Sequence, residues 1–288
     1  MKLASFVHAG RATFGAVGDD GTLVDLGAVL GGQGIGTLRQ YLAARADGSL
    51  AEGAGTAEAP RVPAAEVAWL PVIPDPGLIL CVGLNYARHI DEMGNKRPEY
   101  PTLFSRSPRS QIGHGAPMIR PRVSQALDYE GELAVIIGRP GRHIDRAAAM
   151  AHVAGFACYN DGSVRDWQRH TSQFLPGKNF VGTGPFGPWM VTAEGADAVL
   201  AGRLVTRLNG EVMQDTPIDD LIFDIPALIA YVSTFTDLAP GDVIVTGTPG
   251  GVGVARTPPV FLQPGDRVEV EITGIGTLAN PVEAEPTA

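Results

Sequence analysis

Short apolar runs, broken every few residues by glycine, proline or an Asp-Gly pair, set the pattern of this chain. Lys2 to His8 is mostly apolar, Ala12 to Val17 follows, Asp19-Asp20-Gly21 reads as a turn, and Thr22 to Leu26 resumes the run. This succession predicts a β-meander. Thr37 to Ala44 has helical spacing. Residues 46–66 are Ala, Gly, Glu and Pro with almost no large apolar group, and read as a linker. The pattern therefore divides the chain into a small N-terminal β-rich domain with its linker, residues 1–72, and a larger domain, residues 73–288.

The second part begins with an apolar strand, Leu78 to Leu84, ending at Asn85. Residues 86–100 are polar and helix-like at first, then proline-rich. Glu132 to Gly138 is a continuous apolar run, which predicts a strand buried on both faces. Ala147 to Ala151 reads as helix and Val153 to Tyr159 as strand. Ile225 to Phe235 is the clearest amphipathic helix, with Pro226 in its first turn. Val243 to Thr248 and Arg267 to Ile272 read as strands, each after a Pro-Gly-Asp turn. No βαβαβ alternation appears, so the expected class is α+β and β-rich rather than doubly wound.

Composition narrows the function classes. A hydrophobic fraction of 44% against 18% charged residues supports a sizeable core. The 37 glycines and 23 prolines follow no period and act as turn punctuation. The net charge of −9 supplies no basic face for nucleic acid. No run approaches the roughly 20 apolar residues needed to span a bilayer. Cys81 and Cys158 fit buried thiols of a reducing compartment. The first residues lack the apolar core of a signal peptide, so the expected location is cytoplasmic.

Five segments can carry chemistry. In Asp128-Tyr129-Glu130-Gly131-Glu132, the two glutamates are two apart at a strand entrance, so in extended chain both face one side. Paired carboxylates repel unless neutralised, and a hard divalent cation with oxygen ligands does this; an exposed strand edge with two solvated acids is the plainer alternative. Asp161, at the end of the next apolar strand, could supply a third carboxylate or cap a following helix. His89 and Glu92 are three apart in a helix-like stretch, where a carboxylate can orient an imidazole as general base, or both can be solvated. Lys178 lies in a Gly/Pro-framed loop facing either an anionic substrate or water. The stretch 245–253 lacks the ending of a phosphate loop. It reads as a turn whose N–H groups and Thr hydroxyl could meet a carboxylate.

Together, in this order, these segments resemble the fumarylacetoacetate hydrolase family. The matching text is Cys81-Val82-Gly83-Leu84-Asn85-Tyr86 with His89 and Glu92, Asp128 to Leu133, Asn160-Asp161 through Arg165 and Gln168, and Gly177-Lys178. It continues in Pro185-Phe186-Gly187-Pro188-Trp189, Asn209-Gly210-Glu211, Pro240 to Ile244 and Thr246 to Gly253. The resemblance implies a mixed β-roll catalytic domain with a small N-terminal αβ domain, assembled as a homodimer. It implies Glu130, Glu132 and Asp161 as ligands of Mg²⁺ or Mn²⁺, with Ca²⁺ as a substitute. It implies His89 and Glu92 as a dyad that activates water, and Lys178 as a group steadying negative charge. Arg165, Gln168 and Thr248 become substrate-binding residues. Two departures stand out: Gly162 and Val164 replace residues common in the Asp161 motif, and Val181 stands where many members carry an acid. The polar stretch 169–176 is expected either to line the substrate pocket and set specificity or to be an ordinary surface loop.

The implied activity is hydrolysis of a C–C bond in a 2,4-dioxo acid of the acylpyruvate or fumarylpyruvate type, giving pyruvate or a related 2-oxo acid plus a carboxylic acid. A metal-dependent decarboxylase or isomerase of a 2-oxo acid, such as oxaloacetate, is the alternative on the same scaffold. A hydrolase of 2,4-dioxo-3-deoxy sugar acids is another. The partner is a small 2-oxo acid, with no nucleic acid and no membrane.

Overall fold

A computed structural model describes residues 1–86 and 98–287. The strands in chain order are Lys2–His8 (β1), Arg11–Val17 (β2), Thr22–Asp25 (β3), Arg61–Pro63 (β4) and Ala68–Trp69 (β5). Ile79–Gly83 (β6), Thr102–Ser105 (β7), Gln111–Ile112 (β8), Met118–Arg120 (β9) and Leu127–Asp128 (β10) follow. Then come Gly131–Ile137 (β11), Val153–Asn160 (β12), Ser163–Val164 (β13) and Gly184–Thr192 (β14). Arg203–Leu208 (β15), Glu211–Pro217 (β16), Val243–Val245 (β17), Arg267–Ile272 (β18) and Gly276–Ala284 (β19) complete the set among the described residues.

One large mixed sheet runs β4-β3-β2-β1-β14-β12-β11-β17-β6-β7, and a second runs β16-β15-β18-β19-β9. β11 sits at the centre of the first and is buried along its whole length. The two-residue period divides its side chains between two cores. Leu133, Val135 and Ile137 join the core containing the Ile225–Phe235 helix and the second sheet. Ala134 and Ile136 join the core shared with the N-terminal strands. The expectation of a strand covered on both faces therefore holds, and the continuous apolar run is its cause.

The Leu38–Ala46 helix starts at Thr37, whose side chain and that of Gln40 form a reciprocal capping box. The Ile225–Phe235 helix is capped by Asp224, which accepts from Ala227 N, with proline in the first turn. The stretch 46–66 departs from a free linker. Leu50 is buried, β4 pairs with β3, and Ala54 and Ala59 pack on the N-terminal core. Small residues there allow close approach rather than freedom. β1 in turn pairs with β14, with Leu3 opposite Met190, so one sheet runs across the boundary expected at residues 72 and 73. A division there stands as a proposal about folding units. Among the described residues, no helix is long and apolar enough to cross a membrane.

Candidate active site

The site is built where β11 and β12 meet. The two strands pair antiparallel with Gly131 opposite Asn160, which sets Glu130 beside Asp161. Asp161 N donates to Glu130 O at 2.8 Å, and Asn160 Oδ1 accepts from Glu130 N at 3.0 Å. Glu132 lies two residues on, and the strand period returns its side chain to the face of Glu130. Gly131 between them is obligatory: a Cβ there would meet Thr206 Oγ1 at 2.0 Å. Glu130, Glu132 and Asp161 are all buried, and one carboxylate oxygen from each lies within 4.8 Å of the others.

Three cations are packed into this acidic cluster. Lys178 is 2% exposed and bonds both Glu130 and Asp161, the latter at 2.6 Å. The Gly/Pro frame of Lys178 is a short helix, Leu175–Lys178, that turns the ammonium inward rather than to water. Burial alone would lower the Lys178 pKa, but the charges of Asp161 and Glu130 outweigh it and raise the value, so the side chain stays protonated. Its ammonium also lies 4.9 Å from the Phe104 ring centroid. Arg165 reaches Asp128 Oδ2 through Nε at 2.8 Å, and Glu130 Oε1 and Gln168 Oε1 through Nη1 at 2.7 and 3.0 Å. Its Nη2 is buried without a hydrogen-bond partner among the described residues. Arg106 pairs with Asp161 and donates to Gly162 O at 3.1 Å and Thr183 Oγ1 at 2.8 Å.

Glu132 differs from its neighbours. Among the described residues it has no ion pair, and its Oε2 accepts from Gly247 N at 2.6 Å. Burial pushes its carboxyl well above the usual range, and Asp161 and Glu130 add to that. A buried acid without a cation of its own, facing two more carboxylates, is the donor set of a hard divalent ion. The residues present fit such a group.

The turn after β17 serves the protein's own acids. Gly247 adopts a φ of +107°, which favours glycine and turns its N–H onto Glu132, so β17 ends at Val245 rather than Thr248. Gly253 N and Val254 N donate to the two oxygens of Asp128 at 2.8 and 2.9 Å. The Thr248 hydroxyl donates to Gly131 O at 3.0 Å and accepts from Gln214 Nε2 at 2.8 Å. Its remaining capacity toward a ligand is one lone pair.

A cavity of about 390 Å³ opens over the cluster. It brings together Glu130, Glu132, Asp161, Lys178, Arg165, Gln168 and Thr248, seven of the residues singled out in the sequence. Its apolar wall includes Leu84, Val254 and the pair Phe104 and Phe174, which meet edge to face with ring centroids 5.8 Å apart. From the stretch 169–176, Arg169, Thr171 and Phe174 line it. His89 and Glu92 lie outside the described residues. The sequence reading passed over Arg106 and Asp128. Asp128 stood inside the quoted motif, and its place before Glu130 was an available signal. Arg106 carries no local signal, because its partner Asp161 is 55 residues away.

Comparisons with known proteins agree with this architecture. Residues 78–283 match the family model described as fumarylacetoacetate hydrolase C-terminal. The human protein named oxaloacetate tautomerase FAHD2A, mitochondrial, is 43% identical over 249 residues, covering 85% of this chain and 79% of that protein. The solved structure of a fumarylacetoacetate hydrolase from Exiguobacterium antarcticum superimposes with a TM-score of 0.86 at 36% identity, covering 99% of this chain and 100% of that one. A maleylpyruvate hydrolase from Sphingobium sp. SYK-6, solved with manganese(II) and pyruvate, gives a TM-score of 0.81 at 27% identity, covering 99% and 100%.

Proposed function

The chain belongs to the fumarylacetoacetate hydrolase family of enzymes, and from that premise we propose that it is a divalent-metal-dependent keto–enol tautomerase of short 2-oxo acids of the oxaloacetate type. The observation that carries this reading is Arg165, which lines the same cavity as three carboxylates fit for a hard cation and whose buried Nη2 has no hydrogen-bond acceptor among the described residues. A 2-oxo acid matches both features. Its carboxylate suits the free guanidinium donor, and its adjacent carbonyl and carboxylate oxygens suit the cation held by Glu130, Glu132 and Asp161. The human relative named as an oxaloacetate tautomerase supports the choice of reaction.

A bound Mg²⁺ or Mn²⁺, with Ca²⁺ as a substitute, supplies Lewis acidity that makes the carbon next to the keto group more acidic. Tautomerisation moves one proton from C3 to the C2 oxygen and consumes no water. Lys178 contributes a fixed positive charge where the enolate oxygen forms. Held protonated by Glu130 and Asp161, it is a charge donor rather than a base. We assign the proton transfer to His89, oriented by Glu92, and the seating of the substrate to Arg165, Gln168 and the turn at Thr248. A homodimer and a cytoplasmic location are proposed with it.

A second reading is the C–C hydrolysis expected from the sequence, favoured by the maleylpyruvate hydrolase solved with manganese and pyruvate. Decarboxylation is the third outcome. Products separate them. Protein stripped with EDTA and resupplied with Mg²⁺ or Mn²⁺ is followed on enolic oxaloacetate and on a panel of acylpyruvates. Loss of the enol absorbance without CO₂ or a new acid supports the tautomerase. Pyruvate with a carboxylic acid co-product replaces it with the hydrolase, and CO₂ replaces it with the decarboxylase.

A further inference from the structure

The bases that line the cavity differ in one respect. Lys178 is tied to Glu130 and Asp161, and Arg165 to Asp128 and Glu130. Arg169 lines the same cavity, is exposed, and its side chain has no hydrogen bond or ion pair with any described residue. Its backbone N–H closes the Arg165–Gln168 helix onto Asp166 O at 3.2 Å, which fixes where its side chain begins.

We propose that Arg169 is a specificity-determining residue that binds the distal carboxylate of a dicarboxylic 2-oxo acid; this rests on the reading of the cavity as a 2-oxo acid site. Two arguments support it. The first is charge. The described lining carries three acids, Glu130, Glu132 and Asp161, against three bases, Arg165, Arg169 and Lys178. With a divalent cation in place these described lining residues carry two net positive charges. A dicarboxylate cancels both, whereas a monocarboxylate leaves one uncompensated in a partly desolvated space.

The second argument is reach. Arg165 opens this short helix and Arg169 is its C-cap residue, so both side chains leave one turn and both line the same cavity. The carboxyl carbons of a four-carbon diacid are three C–C bonds apart, about 4 Å. A buried inner guanidinium on Arg165 and an exposed outer one on Arg169 therefore bracket a short diacid, with forks matched to carboxylates. Thr171, next along, is less suited, since its hydroxyl donates to Gln173 O and accepts from Gln173 N. The NH₂ of Gln168, whose Oε1 accepts from Arg165, is a neutral donor and does not distinguish charge as a guanidinium does.

Calorimetric titration of the Mn²⁺-loaded protein with oxaloacetate and with pyruvate tests this. The wild type is expected to prefer the diacid. R169Q should lose about tenfold or more of its oxaloacetate affinity, bringing it toward that of pyruvate, and R169K should retain part of it. In turnover the loss should appear as a raised KM for oxaloacetate with kcat kept. An equal loss for both ligands, a preference retained in R169Q, or no diacid preference in the wild type would overturn the assignment. Oxaloacetate that binds with Arg169-dependent preference but is turned over no faster than in buffer would defeat the tautomerase reading and leave the role of Arg169 standing.

Discussion

Replacing Arg106 by methionine tests whether the acidic cluster is held in place by buried charge. The guanidinium is fully enclosed and serves four acceptors: Asp161, Gly162 O, Thr183 Oγ1 and Ser110 Oγ. Methionine fills much of the volume but donates nothing. Removing one partner of a buried ion pair costs about 3–5 kcal/mol, because the other charge is left without compensation. Here Asp161 keeps Lys178 on its second oxygen at 2.6 Å, so the charge is only partly stranded. That places R106M at the lower end, about 3 kcal/mol, and a loss of about 5 °C in melting temperature follows for a chain of this size. Urea denaturation in EDTA measures it free of any contribution from metal binding. R106K restores the charge but not the planar fork, and should recover about half. A loss below about 1 kcal/mol in R106M would refute the reasoning, since Asp161 would then be held by Lys178 alone.

Other expectations follow from the same site and its surroundings. E132Q removes a buried charge that has no cation partner among the described residues, while its amide oxygen can still accept from Gly247 N. Metal-free stability should be unchanged or raised by up to about 1 kcal/mol, and Mn²⁺ should no longer raise the melting temperature; a loss above about 2 kcal/mol would contradict this. H89A should keep that Mn²⁺-induced shift yet lose about 10²-fold or more in kcat, and an unchanged kcat would remove His89 as the base. His114 accepts from Ala279 N at 3.1 Å, and burial, with Arg267, lowers its pKa below the ordinary value. Its neutral form therefore stabilises the fold fully above the ordinary histidine pKa, and that contribution is lost as pH falls through the window down to the lowered value. The denaturation midpoint of wild type should fall relative to that of H114N as pH drops across that window, and parallel curves would exclude His114 as the source.

Much of the site was legible because it is written locally. Glu130 and Glu132 share a face through the two-residue period of β11, and that period holds wherever the strand is placed. The Ile225–Phe235 helix carries its own cap and its proline in the first turn, so its bounds could be read directly. Residues 46–66 misled for a physical reason. Small side chains suit a flexible linker and a tightly packed turn equally, and only the pairing of β4 with β3 separates them. Lys178 stayed open between substrate and water, since a Gly-Pro frame does not say which way the side chain points.

By itself, then, the sequence determined which residues alternate, which cap, and which acids share a strand face, because each is a relation between near neighbours along the chain. Only the tertiary structure decided that Asp161 meets Glu130, that Lys178 and Arg106 are buried against them, and that, among the described residues, Arg165 keeps one donor free while Arg169 stands unpaired at the cavity wall. Those are relations between charges brought together from distant parts of the chain. Their energies depend on burial and mutual distance, and neither quantity exists until the strands have paired.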